Sequence, residues 1–302
     1  MKISTVVVGL GKIGMMYDFK KKNHYNNHCQ ALETHKNFNL IAAVDKDKHK
    51  KKKFQKNFKL PFFTDLNKAF KETKPNLIII STPTIQNDKL FDYIKKNNIT
   101  PKIFLIEKPG SYNYDNFKKF IIFCKKKKIR LALNYQRSFC DSLSIFNKFL
   151  RSGEKIKIYV YYKKSFYNSC SHYINFFFEI IKSKTYKIID VSFYKKINKD
   201  FISNCKIKIQ YLIEFKYIKN TQERIIFKNS KNHLLIYYTE KSKIILKKKN
   251  HSVIKNNFNL NLKNVLNSIY KEYQKKNNFN LNSSLKTLEI ITNIQKNNNL
   301  NV

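Results

Sequence analysis

Residues 4–18 read STVVVGLGKIGMMYD, and three of the five glycines in this 302-residue chain, Gly9, Gly11 and Gly14, fall within six positions of that stretch. Residues 3–8 form an apolar, β-branched run of the length of a buried strand. The residues beyond the glycines have helical spacing, so the glycines sit at a strand-to-helix turn. In a chain so poor in glycine, this concentration marks a place where side chains are not tolerated. Each glycine of Gly9-Leu10-Gly11-Lys12-Ile13-Gly14 has its own physical reading. Gly9 permits the tight turn out of the strand, Gly11 leaves the main chain bare, and Gly14 lets the helix pack close to the sheet.

A bare main chain at a helix N-terminus is what a diphosphate needs, because unpaired N–H groups and a partial positive charge meet it there. The six residues 9–14 therefore read as the phosphate turn of a dinucleotide site. Such a site also needs an acid at the end of the second strand, and Asp45 ends FNLIAAVD, residues 38–45. A carboxylate there accepts hydrogen bonds from the adenosine ribose and repels a 2′-phosphate. The expected cofactor is NAD or NADP, with NAD favoured; Lys46 and Lys48 soften that preference. The plainer alternatives are a glycine turn without a cofactor and an ordinary strand-end aspartate.

Outward from this stretch the chain is punctuated. Its five prolines, at 61, 75, 83, 101 and 109, all lie in one region. There, strand-like runs (76–83, 102–109, 129–135) alternate with helical spacing (66–74, 87–98, 114–128), which argues for βαβ units and a parallel sheet. Beyond about residue 150 the rhythm changes. Residues 155–165 alternate with period two, 171–183 are apolar enough for a helix, and strand-like runs then succeed one another to residue 249. The tail, 262–298, returns to helical spacing, with Leu285, Leu288, Ile291 and Ile294 on one stripe. The fold expected is α/β. An N-terminal Rossmann domain (1–134) has a doubly wound parallel sheet, and a C-terminal α+β domain (135–302) has a mostly antiparallel open sheet with one wet face.

The formal net charge is +41, which on its face points to a polyanion partner. Yet Arg130, Arg137, Arg151 and Arg224 are the only arginines among 61 basic residues. Arginine is the side chain that grips phosphates and bases in two-pronged fashion. Lys, Asn, Ile, Phe and Tyr are enriched together, and Gly, Ala, Pro, Arg and Trp are depleted together, as base composition alone would produce. No specific nucleic-acid partner is expected, and a polyanion-binding protein stays the weaker rival. The cysteines (Cys29, Cys124, Cys140, Cys170, Cys205) are scattered and form no C-x-x-C pair, so neither a disulfide framework nor a metal site is indicated. No apolar run approaches the ~18 residues of a membrane span. A cytoplasmic protein with no membrane partner is expected.

LIEKPGS (105–111) places a charged pair where a sheet strand ends. Together with the glycine turn, STPT (81–84), LNYQRSF (133–139) and YNSCSHYINFF (167–177), it resembles the Gfo/Idh/MocA family of oxidoreductases over essentially the whole chain. The resemblance implies NAD(P)-dependent hydride transfer on a sugar, nucleotide sugar or polyol held between the domains. It implies Lys108 and His172 as catalytic residues. Ser81, Thr82, Pro83, Glu107 and Lys108 join residues 9–14 and Asp45 on the cofactor, and Arg137, Tyr167, Asn168 and His172 contact the substrate. The chemistry suits those types. An imidazole takes the hydroxyl proton as hydride leaves, and a neighbouring ammonium stabilises developing alkoxide charge. Three positions depart from the family pattern. Asn168 and Asn175 stand where aspartates are common, and Asn87 where a histidine is. His28 sits where the loop after the first helix could approach the nicotinamide. Tyr167 also reads as a packing aromatic, and Arg137 as an anion or cofactor contact. The alternative function is a non-catalytic dinucleotide-binding sensor or decayed family member. The open sheet face implies a homodimer or homotetramer.

Overall fold

The computed structural model describes residues 2–19, 21, 25–139, 143–151, 155–183, 185–197, 200–240, 243–248, 251–256, 261–275, 279 and 281–297. The chain divides into two compact units, residues 1–136 with 261–281, and residues 137–260 with 282–302.

In the first unit, strands β1 (Ile3–Val8), β2 (Phe38–Val44), β3 (Phe62–Phe63), β4 (Leu77–Ile80), β5 (Ile103–Glu107) and β6 (Arg130–Asn134) make one sheet in the order β3-β2-β1-β4-β5-β6. Every pairing is parallel. All four residues of β4 are buried, which explains why the central strands are unbroken apolar runs rather than alternating ones. The order reverses between β1 and β4, and the crevice at such a reversal is where open α/β sheets take ligands. Helices α1 (His28–Glu33), α2 (Lys48–Phe58), α3 (Leu66–Thr73), α4 (Thr84–Lys96) and α5 (Tyr114–Lys126) connect the strands.

The regular helix expected directly after the glycines is not formed. Lys12–Met16 is a five-residue π-helix, with the Met16 N–H donating to Gly11 O at 3.0 Å and the Tyr17 N–H to Lys12 O at 2.7 Å. The chain then leaves helical geometry, with Asp18 at φ 49° and its carboxylate holding Asn26 Nδ2 at 2.6 Å. α1 starts afresh at His28, capped by Asn27, whose Oδ1 accepts from the Gln30 N–H at 2.9 Å. Scarce glycine shows at other helix ends too. Lys59, Lys74 and Lys182 occupy left-handed C-cap positions (φ 54°, 43° and 58°), where glycine is the usual residue.

Helix α8 (Leu262–Gln274) belongs to this first unit. Its buried residues Leu262, Val265, Leu266 and Ile269 follow helical spacing. Asn267 Oδ1 lies 3.0 Å from His35 Nε2, and the Arg130 guanidinium covers the Tyr273 ring at 4.8 Å.

In the second unit, eight strands form one sheet: β7 (Lys157–Tyr162), β8 (Lys187–Ile197), β9 (Asp200–Lys208), β10 (Leu212–Tyr217), β11 (Arg224–Lys228), β12 (Leu234–Tyr238), β13 (Lys243–Lys248) and β14 (His251–Asn256). The order is β14-β13-β12-β11-β7-β10-β9-β8. β7 and β10 pair in parallel and every other neighbour is antiparallel. Along β7, Ile158, Val160 and Tyr162 are buried while Lys157, Tyr159 and Tyr161 are not, so one face is packed and the other wet. The unit also holds α6 (Leu143–Leu150), α7 (Ser171–Ile181) and α9 (Asn282–Asn297). Its core is largely phenylalanine. Phe146 meets Phe176 edge-on at 4.9 Å and Phe227 at 5.5 Å. On α9, Leu288, Ile291 and Ile294 are fully buried and Leu285 is half-buried.

Two elements, α6 and β14, lie outside those legible from the sequence; α6 is eight residues long and β14 is a polar strand at the sheet edge. Cys140 and Lys249 lie outside the described residues. Cys29, Cys124, Cys170 and Cys205 are buried and form no disulfide. Among the described residues no helix is long and apolar enough to cross a membrane.

Candidate functional site

The glycine turn lies at the C-terminal end of β1, beside the reversal in strand order. Gly9 has φ +89°, and a Cβ there would stand 2.8 Å from the Thr82 nitrogen. A Cβ on Gly14 would stand 2.0 Å from the Gly9 carbonyl oxygen. The fold itself thus demands both glycines. Gly11 is different, because a Cβ built on it meets nothing within 4 Å. Packing gives no reason for glycine there; an approaching ligand does.

That open side belongs to a cavity of about 940 Å³ in the first unit, lined by Gly9, Gly11, the ends of β1 and β2, and residues of α2, α3 and α4. Asp45 stands on its wall as expected, but its carboxylate is already engaged. Oδ2 accepts from the Leu10 N–H at 2.6 Å and from Lys50 Nζ at 3.0 Å, and Oδ1 from the Asp47 N–H at 2.9 Å. Leu10 is fully buried, Ile13 half-buried and Lys12 exposed. On the far wall, Asp65 caps α3 through the Lys68 N–H at 2.7 Å and holds the Tyr93 hydroxyl. The Asp65 carboxyl is held below its usual range; burial works against this, and the Tyr93 hydroxyl and the Lys68 and Asn67 N–H groups outweigh it. Motif spacing does not single out Lys50, Asp65 or Tyr93. The i,i+3 spacing from the Asp47 cap could have pointed to Lys50.

The Ser81-Thr82-Pro83 turn closes over the loop. Ser81 donates from N to Val8 O at 2.8 Å and from Oγ to Gly9 O at 2.7 Å. Thr82 Oγ1 donates to Asn87 Oδ1 at 2.6 Å, and Asn87 Nδ2 donates to Gly110 O at 2.7 Å. Asn87 is therefore a buried tie between this turn and the one after β5. Glu107 ends β5 and Lys108 comes next, half-buried. Glu107 Oε1 lies 2.7 Å from Nε2 of the wholly buried His28 and accepts from Asn134 Nδ2 at 2.6 Å. His28 is thereby committed to Glu107. The β5–β6 register pairs Glu107 with Asn134, a link that strand alignment alone could have suggested.

His172, Asn168, Tyr167 and Arg137 belong to the second unit. Phe166–Cys170 is a π-helix that runs directly into α7. Between residues 166 and 178 every residue is buried except Asn168, which is exposed, and His172, which is half-buried. The two polar tips expected at a four-residue spacing are thus the two that reach out of an otherwise buried helical run. A π-turn there matches the frequent use of such turns at functional positions. Tyr167 is buried, and its hydroxyl donates to Gln295 Oε1 at 2.6 Å. Asn175 is buried, accepts from Ser138 Oγ, and donates to Ser284 Oγ at 3.3 Å. The Arg137 guanidinium covers the Tyr173 ring at 5.1 Å, and the Tyr173 hydroxyl lies 3.1 Å from Glu223 Oε2. Burial opposes the Arg137 charge, but Tyr237, Tyr173 and Glu223 together hold its pKa up.

Residues 3–135 match the family model GFO_IDH_MocA, described as an oxidoreductase family with an NAD-binding Rossmann fold. No curated protein matches the chain in sequence. Among solved structures, the dehydrogenase (MviM) from Clostridium difficile is 14% identical with a TM-score of 0.78, the match covering 98% of this chain and 100% of that one. A 3-ketoreductase from Actinomadura kijaniata, solved with NADP and TDP-benzene, is 10% identical with a TM-score of 0.80 and 98% of each chain covered. An oxidoreductase from Agrobacterium radiobacter, solved with NAD+, L-tartaric acid and magnesium, is 10% identical with a TM-score of 0.72, covering 99% of this chain and 97% of that one. At such identities the likeness is one of fold.

Proposed function

We propose that the chain is a Gfo/Idh/MocA-type oxidoreductase, the family whose model residues 3–135 match, and that it moves a hydride between NAD(P) and a CH–OH or C=O carbon of a sugar, nucleotide sugar or polyol. The observation that carries the cofactor half is the open side of Gly11, a glycine that packing does not require. Gly9, Leu10, Gly11, Lys12, Ile13 and Gly14 hold the diphosphate in this reading, and Asp45 faces the adenosine ribose. Ser81, Thr82 and Pro83 line the way toward the nicotinamide. The bound dinucleotide supplies or receives the hydride.

The substrate half rests on Lys108, Asn168 and His172. In the oxidation direction the role proposed for the His172 imidazole is to take the hydroxyl proton, and that proposed for the Lys108 ammonium is to stabilise developing alkoxide charge. Reversed, the same pair polarises and protonates a carbonyl. Asn168 donates to or accepts from a neighbouring hydroxyl but carries no charge. Arg137 offers a cation to an anionic substrate group. Glu107, fixed by His28 and Asn134, anchors the turn that presents Lys108. Asn175 is tied to Ser138 and Ser284 within the second unit and is given no catalytic role in this reading.

The test is a hydride-transfer assay with NADH and NADPH across sugars, nucleotide sugars and polyols, with Lys108→Ala as control. Turnover that falls by about 10² or more in Lys108→Ala, with dinucleotide affinity retained, supports the proposal. Dinucleotide binding without turnover on any compound would assign the chain to the non-catalytic sensor reading instead.

We also infer a homo-oligomer in the cytoplasm. Edge strand β8 exposes Ile189, Phe193, Tyr194 and Ile197, an apolar edge that soluble proteins seldom leave bare. Sedimentation equilibrium checks this, with Phe193→Lys expected to lower the mass; a monomeric wild type would refute it.

A further inference from the structure

We propose that Lys50 makes the ribose end of the first-unit cavity accept NADP(H) as well as NAD(H), and that this one side chain sets the choice between them. The proposal rests on the reading of that cavity as the dinucleotide site. An acid at the end of β2 excludes a 2′-phosphate only if its charge is uncompensated. Here it is compensated, since Lys50 Nζ lies 3.0 Å from Asp45 Oδ2 and 3.8 Å from Asp47 Oδ2. The Asp45 side chain is 10% exposed and that of Lys50 30%, so the cation is the more accessible member of the pair. An ammonium has three donors, and two carboxylates occupy at most two. The third is available to a phosphate oxygen.

The wider charge points the same way. α2 carries Lys48, Lys50, Lys51, Lys52, Lys53 and Lys56 and no acid. Lys46 is exposed on the cavity wall. The other acids of the wall are engaged, Asp47 with the His49 N–H at 2.9 Å and Asp65 with Lys68 and Tyr93. NAD is not excluded by this arrangement. A carboxylate offers about four lone-pair sites, and three on Asp45 have protein donors, which leaves one for a ribose hydroxyl.

The experiment titrates NADH and NADPH into the wild type, Lys50→Met, Lys50→Arg and Lys52→Met by calorimetry, with melting temperatures recorded for each. Both dinucleotides are expected to bind the wild type. In Lys50→Met the ratio of the NADPH to the NADH dissociation constant is expected to rise by about tenfold or more, because a charge-assisted contact is lost and Asp45 is unmasked. Lys50→Arg is expected to keep the wild-type ratio, and so is Lys52→Met, which changes the helix charge without touching Asp45. A smaller rise in Lys50→Met, or an equal rise in Lys52→Met, overturns the assignment of Lys50 while leaving the dinucleotide site standing. Failure of the wild type to bind either dinucleotide overturns both.

Discussion

Gly11 and Gly14 lie three residues apart and are glycine for different reasons. A methyl on Gly14 runs into the Gly9 carbonyl, so Gly14→Ala is expected to destabilise the first unit by at least about 2 kcal/mol in chemical denaturation. Gly11 has φ −71° and ψ −159° and an empty side, so Gly11→Ala is expected to stay within about 0.5 kcal/mol of the wild type. The need for glycine at 9 and 14 was legible in the sequence, because spacing and scarcity are local facts. The partners of Asp45 and His28 were not. Asp45 reaches the Leu10 N–H across 35 residues and His28 reaches Glu107 across 79, and no periodicity reports such contacts. Tyr167 and Asn175 illustrate the same limit, since their roles depend on Gln295 and Ser284 in the last helix.

At the level of elements, strands and helices were readable where burial imposes a period, and less so where backbone detail decides. The interruption after Met16 comes from Asp18 in a left-handed conformation and a fresh Asn27 cap, neither of which changes the apolar pattern. α8 is readable as a helix, but not as a helix of the first unit. That docking carries a pH signature. His35 Nδ1 accepts from the Asn37 N–H at 3.2 Å, and Nε2 faces Asn267 Oδ1, which fixes one neutral tautomer. Burial is the largest cause that lowers its pKa from 6.5, with the Asn267 contact opposing it. The unfolded chain then takes up the proton first. The contribution is present above the unfolded value and is lost as pH falls through the lower folded one. Denaturation midpoints of the wild type are expected to fall relative to those of His35→Gln between about pH 7 and pH 5. Parallel profiles for the two proteins would refute it.

At the scale of the molecule, the two sheets arise from two different patterns. Unbroken apolar runs separated by helices gave a parallel sheet buried on both faces, and period-two runs separated by short turns gave an antiparallel one with a wet face. The parallel β7–β10 pair is the exception that turn spacing did not disclose. The charge of +41 is carried almost wholly by lysines, and at the first-unit cavity one of them, Lys50, pairs with Asp45.

The central claim is that a dinucleotide diphosphate rests on the bare main chain at Gly11. Calorimetric titration of the wild type and of Gly11→Ala with NADH and NADPH tests it most directly. The account predicts one saturable site per chain in the wild type, with affinity for both dinucleotides weakened by about tenfold or more in Gly11→Ala while its melting temperature is unchanged. Equal affinity in the two proteins, or no binding by a folded wild type at about millimolar dinucleotide, would contradict it.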